Sequence, residues 1–571
     1  MTFHKIFASI FIGIFIAACS STVRDGEPTS APRNNNAVTM VINARVYTLD
    51  PKLPWAESFA YNSVGKIIAV GTEADVREAV GGDPKLIDAR NNMVMPGFQD
   101  PHVHIPEAGI NETLCILPPD EPLDAYEQLA ADCAEDQPDS EWVRAAGVSL
   151  FNFRTGQSEL PIEVLDRAIP DRPAIILDDL GHSAWTNTLG MKAAGIGLDD
   201  PDPQGGVLYR DPTSGRFTGL LLESAQQRVR NAAALTDEEN YEGLLLALQE
   251  AAHNGITTVS DAGGFWGQHH PEAWQRALRE NKLTARGVNA LYLYPDLDFD
   301  TQLAEFEERF TDDDGSLLQF DTAKIYVDGI LDLGTASMLE PYDNPPDPLL
   351  PQGFNYFTRE QLLKYVNDLS TLGYRMHFHV IGDAATRSAL DAVEAIDAPA
   401  GDVASRRHRT THTYLVDDAD IARFKALGVV ADFQKGPDST DTAYHEDLSE
   451  IIGDRAFDLI PTKKLLDAGA HVSLSSDWDA DPLSPFGTIQ RAVNREANAV
   501  ADVETAIRLV TLDAAFALDQ DRVTGSIAVG KYADFIVIDQ NLLTIDSNDI
   551  ENTQVLLTFL AGREVYSSGE L

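Results

Sequence analysis

The chain has 571 residues, 44% of them hydrophobic, and carries 90 acidic against 43 basic side chains, a formal charge of −47. The apolar share supports a large packed core and argues against a disordered or multi-span membrane chain. The charge argues against a nucleic-acid partner, because a phosphate backbone would be repelled.

The N-terminus reads as a targeting segment. His4 and Lys5 open a short polar stretch, and Ile6 to Ala18 is an apolar run too short to span a bilayer with ordinary flanks. The run ends Ile16-Ala17-Ala18-Cys19-Ser20 and resembles a bacterial lipoprotein signal, with residues 1–18 as signal peptide and Cys19 as the lipidated mature N-terminus. Several acyl chains on one Cys anchor stably where a single chain does not. Residues 19–37 are rich in Ser, Thr, Pro and Asn without hydrophobic period, the composition of a flexible tether. Ser20, rather than Asp, after the Cys resembles the outer-membrane sorting signal of Gram-negative bacteria. The expected location is therefore the cell envelope, as a lipoprotein facing the periplasm, with the outer membrane favoured. Cys115 and Cys133 are the remaining cysteines. In an oxidising compartment they are expected to pair as a disulfide, the alternative being two buried thiols.

From Thr39 to Val94 the pattern is of short strands with turn signals at Gly65 and Gly81-Gly82. After Pro96-Gly97 it changes to strand-then-helix units. Apolar strand-like runs are 174–177, 257–260, 323–327, 375–379, 429–431 and 472–475, and helical stretches are 241–254, 359–372, 384–396, 417–427 and 462–468. Strands alternating with helices over this length imply a parallel sheet closed into a barrel. Val503 to Leu518 reads as one helix, and short strands return after it. The expected organisation is an α/β fold: a (β/α)8 TIM barrel over 97–518 and a small β-sandwich formed by both chain ends, 38–96 plus 519–571.

The chemistry falls at strand ends. In Gly97-Phe98-Gln99-Asp100-Pro101-His102-Val103-His104, residues i and i+2 of a strand project to one side, so His102 and His104 share a space. Neutral imidazoles suit a borderline divalent ion such as zinc. Lys324, His379, His412 and Asp477 stand at the ends of later apolar runs.

These motifs, with Gly181-His182-Ser183, Gly255-Ile256-Thr257, Asp328-Gly329, Ser476-Asp477-Trp478 and Gly530-Lys531-Tyr532-Ala533-Asp534, resemble the metal-dependent amidohydrolase superfamily and within it the amidohydrolase-3, YtcJ-like group. The resemblance covers nearly everything from Thr39 onward. It implies His102 and His104 as the metal-ligand pair after barrel strand 1, Lys324 as a strand-4 lysine that relatives carbamylate to bridge two metals, His379 and His412 as the strand-5 and strand-6 ligands, and Asp477 as the strand-8 ligand and catalytic acid–base. The competing reading of Lys324 is an ion pair with Asp328 or another acid. Arg409-Thr410-Thr411-His412 departs from the family's Arg-x-Glu-His by losing an acid beside the ligand.

His182, Glu223 and His377 are candidates for the substrate pocket, His377 more as a core histidine, with Trp185 and Asn187 beside His182. His269-His270 reads as an exposed loop, and Lys531 and Asp534 as structural. The expected activity is metal-dependent hydrolysis of a non-peptide carbon–nitrogen bond, of amide or formamide type, in a small-molecule substrate, with one or two zinc ions. The alternatives are a deaminase, a metal-assisted isomerase, or a non-catalytic exported protein that keeps the fold.

Overall fold

The computed structural model describes residues 38–150, 157–495 and 497–571. The signal peptide, Cys19 and the tether read from the sequence lie outside the described residues. Among the described residues no helix is long and apolar enough to cross a membrane.

Eight parallel strands form the central sheet. In chain order they are barrel strand 1 (Phe98–Val103), 2 (Ile256–Gly264), 3 (Arg286–Tyr292), 4 (Leu318–Tyr326), 5 (Arg375–Val380), 6 (Arg409–His412), 7 (Val430–Gln434) and 8 (Val472–Ser475), each beside its successor. Just past strand 8 the ends meet: Asp477 N donates to His102 O at 2.9 Å and His104 N to Trp478 O at 2.8 Å. The result is a (β/α)8 barrel, as expected from the alternating pattern. Strand 3 was not among the apolar runs recognised in the sequence.

Alternation along each strand sorts the chemistry. In strand 5 Met376, Phe378 and Val380 join the apolar cluster that holds the helices Arg359–Leu372 and Asp383–Glu394, while His377 and His379 take the opposite face. Register places Lys324 beside His377, Tyr326 beside His379 and Val380 beside His412. The helix Arg359–Leu372 begins with a capping box between Thr358 and Gln361 and ends at Gly373, φ +108°, so both ends are written into the local sequence.

Two features revise the sequence reading. Ala174–Asp178 is not a barrel strand. It lies in a separate mixed six-stranded sheet, with the strands Cys115–Ile116, Val143–Val148, Ser183–Thr186, Gly206–Arg210 and Phe217–Glu223, inserted between barrel strands 1 and 2. Its own apolar clusters, around Trp185 and around Ile175, bury the run as completely as a barrel would. The predicted helix 503–518 is two helices, Val503–Leu509 and Leu512–Ala517. Cys115 and Cys133 form a disulfide, Cα–Cα 5.8 Å, in this insertion.

Strands from both ends of the chain share one sheet. Met93–Pro96 lies between Arg45–Tyr47 and Phe535–Ile538, with Val555–Leu560 and Arg563–Ser567 beyond. Phe535 stacks on Phe559 at 4.5 Å and meets Phe59 of a second, four-stranded sheet edge-on at 5.0 Å. Arg286 of barrel strand 3 donates to Asp534 at 2.8 Å, both fully buried, and ties this unit to the barrel.

Candidate active site

The predicted chemical residues converge at the C-terminal end of the barrel. His102 Nε2 lies 2.9 Å and His104 Nε2 3.6 Å from Asp477 Oδ1, and His412 Nδ1 lies 3.7 Å from Asp477 Oδ2. The ring of His379 is 4.4 Å from that of His412. Lys324 Nζ, wholly buried, is 3.3 Å from His102 Nδ1. Asp477 and His412 hold left-handed backbone, φ +61° and +63°. For a non-glycine residue this conformation costs about 1 kcal/mol or more and persists where surroundings impose it, often at functional sites.

His102, His104 and Asp477 can hold a metal ion: one ligand atom from each lies within 4.8 Å of the others. Among the described residues the buried Nδ1 of His379 has no hydrogen-bond partner, a costly state for a core polar atom that a cation would relieve. Burial, reinforced by neighbouring positive groups, holds His102 and His379 well below the usual histidine range. Burial does the same for His412 against the pull of Asp477. All three therefore keep neutral rings with a lone pair to offer. For His104 burial is outweighed by Glu107 and then Asp477, which raise its pKa. Burial lowers the Lys324 amine to about 7, against Asp477, which raises it.

The supporting residues come from several elements. The helix Ile105–Asn111 starts directly after His104 with Pro106 in its first turn, and so folds Glu107 back to place Oε2 2.9 Å from His104 Nδ1. Gly109 lets this helix lie against Gly243, whose carbonyl a Cβ would strike. Arg230 donates to the other oxygen of Glu107. Glu223, φ +56° and buried, accepts from His182 Nδ1 at 2.7 Å, from Tyr356 OH at 2.6 Å and from Thr335.

Two cavities open from this centre and share Asp178, His182, His412 and Asp477. One is lined by Glu107, Glu223, Arg230, Tyr292, Tyr326 and Tyr356. The other is lined by Asp332, Tyr414, Gln434, Asp438, Tyr444 and Asp481.

The structure sorts the remaining sequence assignments. His182 and Glu223 line the first cavity, but His377 reaches neither. It is fully buried below the site, with Nε2 2.9 Å from His102 Nδ1 and Nδ1 accepting from Arg409 at 2.9 Å. Trp185 is packed inside the insertion, and Asn187 caps the helix Thr188–Ala193. His269 is exposed, but His270 is buried with Nδ1 2.8 Å from Gly263 O. Asp328 does not pair with Lys324; its carboxylate accepts the backbone N–H groups of Ser337, Ile381 and Gly382. Sequence reasoning missed Glu107, whose signal was an acid three residues after His104 in a first helical turn. It also missed Arg230 and Tyr356, which carry no local signal.

Residues 85–566 match the model of the Amidohydrolase family. The chain is 27% identical to the N-substituted formamide deformylase of Arthrobacter pascens over 92% of its own length and 97% of that protein. It is 26% identical to the putative amidohydrolase YtcJ of Bacillus subtilis (strain 168) over 89% and 95%. Among solved structures it resembles in fold an uncharacterized metal-dependent hydrolase from Pyrococcus horikoshii OT3, with TM-score 0.69, 22% identity and coverage of 90% of this chain and 99% of that one.

Proposed function

Because this chain belongs to the Amidohydrolase family, we propose that it is a metal-dependent hydrolase acting on a carbon–nitrogen bond of a small, non-peptide amide or formamide. The observation that carries the reading is the position of Asp477, whose two oxygens face His102 and His104 on one side and His412 on the other.

His102, His104, His379, His412, Asp477 and Lys324 would hold one or two divalent cations, zinc being the ion best matched to imidazole and carboxylate donors. A cation held there supplies Lewis acidity toward the carbonyl and acidifies water. Asp477 accepts the proton of the attacking water and returns it to the leaving nitrogen. Glu107 holds the ring of His104, and Glu223 holds that of His182 at the junction of the two cavities. Lys324, to which no acid is bonded among the described residues and whose amine burial lowers to about 7, would be partly neutral, as carbamylation needs. The resulting carbamate would add oxygen donors to the ligands that hold the cations. The A. pascens relative's name supports a formamide as one substrate to try.

Metal analysis of protein prepared with bicarbonate, joined to a screen of amides and formamides, tests the reading. The expected result is up to two metals per chain and turnover that Lys324→Ala and Asp477→Asn abolish. Bound metal without any carbon–nitrogen cleavage would overturn it.

We also propose that the protein is anchored through a lipidated Cys19 and faces the periplasm of a Gram-negative cell envelope, with the outer membrane favoured. The Ile16–Ser20 motif supports this, as does the disulfide, which suits an oxidising compartment. Cys19→Ala should release the protein from the membrane fraction.

A further inference from the structure

Resting on the hydrolase reading, the second cavity indicates what kind of substrate the site receives. Asp332, Asp438 and Asp481 line it beside the rings of Tyr414 and Tyr444, and it runs up to His412 and Asp477. Among the described residues its lining includes no lysine or arginine. The chain's acidic surface is elsewhere laced with ion pairs, such as Arg167 with Glu127 and Glu159, or Arg423 with Asp391 and Glu394. Asp332, Asp438 and Asp481 have no such partner among the described residues. Arg491, which acts on Asp481 from a distance, gives its N–H groups to Lys435 O and Glu551 instead.

A second feature of the cavity points the same way. Gln434, at the end of barrel strand 7, is 2% exposed and lines the cavity. Its Nε2 donates to Thr411, Asp432 and Ser475, while its Oε1 has no partner among the described residues. An unsatisfied acceptor in an acid-lined cavity calls for a donor. Gly436 completes the arrangement: Asp481's carboxylate lies against its backbone, where any Cβ would collide with it. Carboxylates without ion-pair partners, a buried acceptor lacking a donor and two lining tyrosine rings are together groups that suit an organic ammonium.

We propose that this cavity binds a protonated amino group on the substrate, so that the substrate class is an N-acylated or N-formylated amine bearing a second, cationic nitrogen. In hydrolysis, water oxygen bonds to the acyl carbon, the carbon–nitrogen bond breaks, and the nitrogen takes a proton. The products are a carboxylic acid and a diamine. The ammonium end anchors the leaving half in the acidic cavity.

The test uses the metal-loaded full chain in 150 mM salt with two formamides of matched shape, N-formyl-1,4-diaminobutane and N-formylpentylamine. The charged compound should have a kcat/KM roughly ten-fold or more above the neutral one, chiefly through KM, the scale of one close charge pair. Asp332→Asn and Asp481→Asn should each collapse that ratio about ten-fold, and Gly436→Ala should lower it by displacing Asp481. An exposed remote control, Asp83→Asn, should leave the ratio unchanged. Equal rates on the two formamides, or an equal loss in the Asp83→Asn control, would overturn the proposal. Calorimetry with 1,4-diaminobutane separates the two levels of argument. Binding that Asp332→Asn weakens ten-fold, without hydrolysis of either formamide, would sink the hydrolase reading and keep the cation site. No binding would overturn the cation site itself.

Discussion

Glu107 Oε2 lies 2.9 Å from His104 Nδ1. A carboxylate only accepts, so the proton of His104 stays on Nδ1 and its Nε2 lone pair is turned toward Asp477. Arg230 neutralises the far oxygen of Glu107 and holds the carboxyl well below the usual carboxylate range against burial, which raises it. Glu107→Gln should therefore weaken metal binding about 10- to 100-fold, the usual effect of losing a partner behind a ligand, while the fold persists. Competition with a metal indicator measures it; an unchanged affinity would show that His104 is not a ligand.

The neighbouring histidine is ordered from the other direction. Arg409 is a donor only and bonds His377 Nδ1, so neutral His377 carries its proton on Nε2 and donates it to His102 Nδ1. The proton of His102 then sits on Nε2, beside Asp477. The ring offers Nε2 to a cation by moving this proton to Nδ1, whereas His104, whose pKa Glu107 and Asp477 raise against burial, gives up its second proton to bind, so metal uptake should release protons and tighten as pH rises. Titration calorimetry in buffers of different ionisation enthalpy reads the release directly. Heats independent of buffer would mean that His104 gives up no proton when the cation binds.

The disulfide closes a loop of 18 residues in the insertion. Cys115→Ser with Cys133→Ser should cost about 3 kcal/mol, the loop-closure value for this length. Denaturant unfolding of the oxidised, reduced and doubly substituted forms checks this. Identical curves would show that the insertion needs no covalent tie.

Arg286 and Asp534 form a buried pair that also receives the backbone N–H of Ala561. Asp534→Ala leaves a buried guanidinium without its counter-ion and should destabilise the protein by about 3–5 kcal/mol, where an exposed pair would cost under about 1 kcal/mol. Thermal unfolding of the variant should show the large loss; a shift of a degree or two would show that water replaces the carboxylate.

Local rules determined much of this protein from sequence. His102 and His104 share a space because strand side chains alternate, and His377 is set one layer below His379 for the same reason. The helix Arg359–Leu372 has its start in Thr358 and Gln361 and its stop in Gly373, so its bounds were legible. Lys324, His379, His412 and Asp477 stand out at the ends of apolar runs, the resemblance gives them roles, and the structure has them in or just after barrel strands 4, 5, 6 and 8. What only the tertiary structure decided depends on pairing between distant segments. Ala174–Asp178 is more apolar than Thr257–Ser260, yet a short buried strand reads alike in any sheet; the neighbouring strands alone put the first in the insertion and the second in the barrel. Arg230 and Tyr356 reach the site across 123 and 133 residues from Glu107 and Glu223, their partners. No window of sequence contains such a contact, because the free energy that selects it comes from closing the barrel and packing the insertion over its mouth.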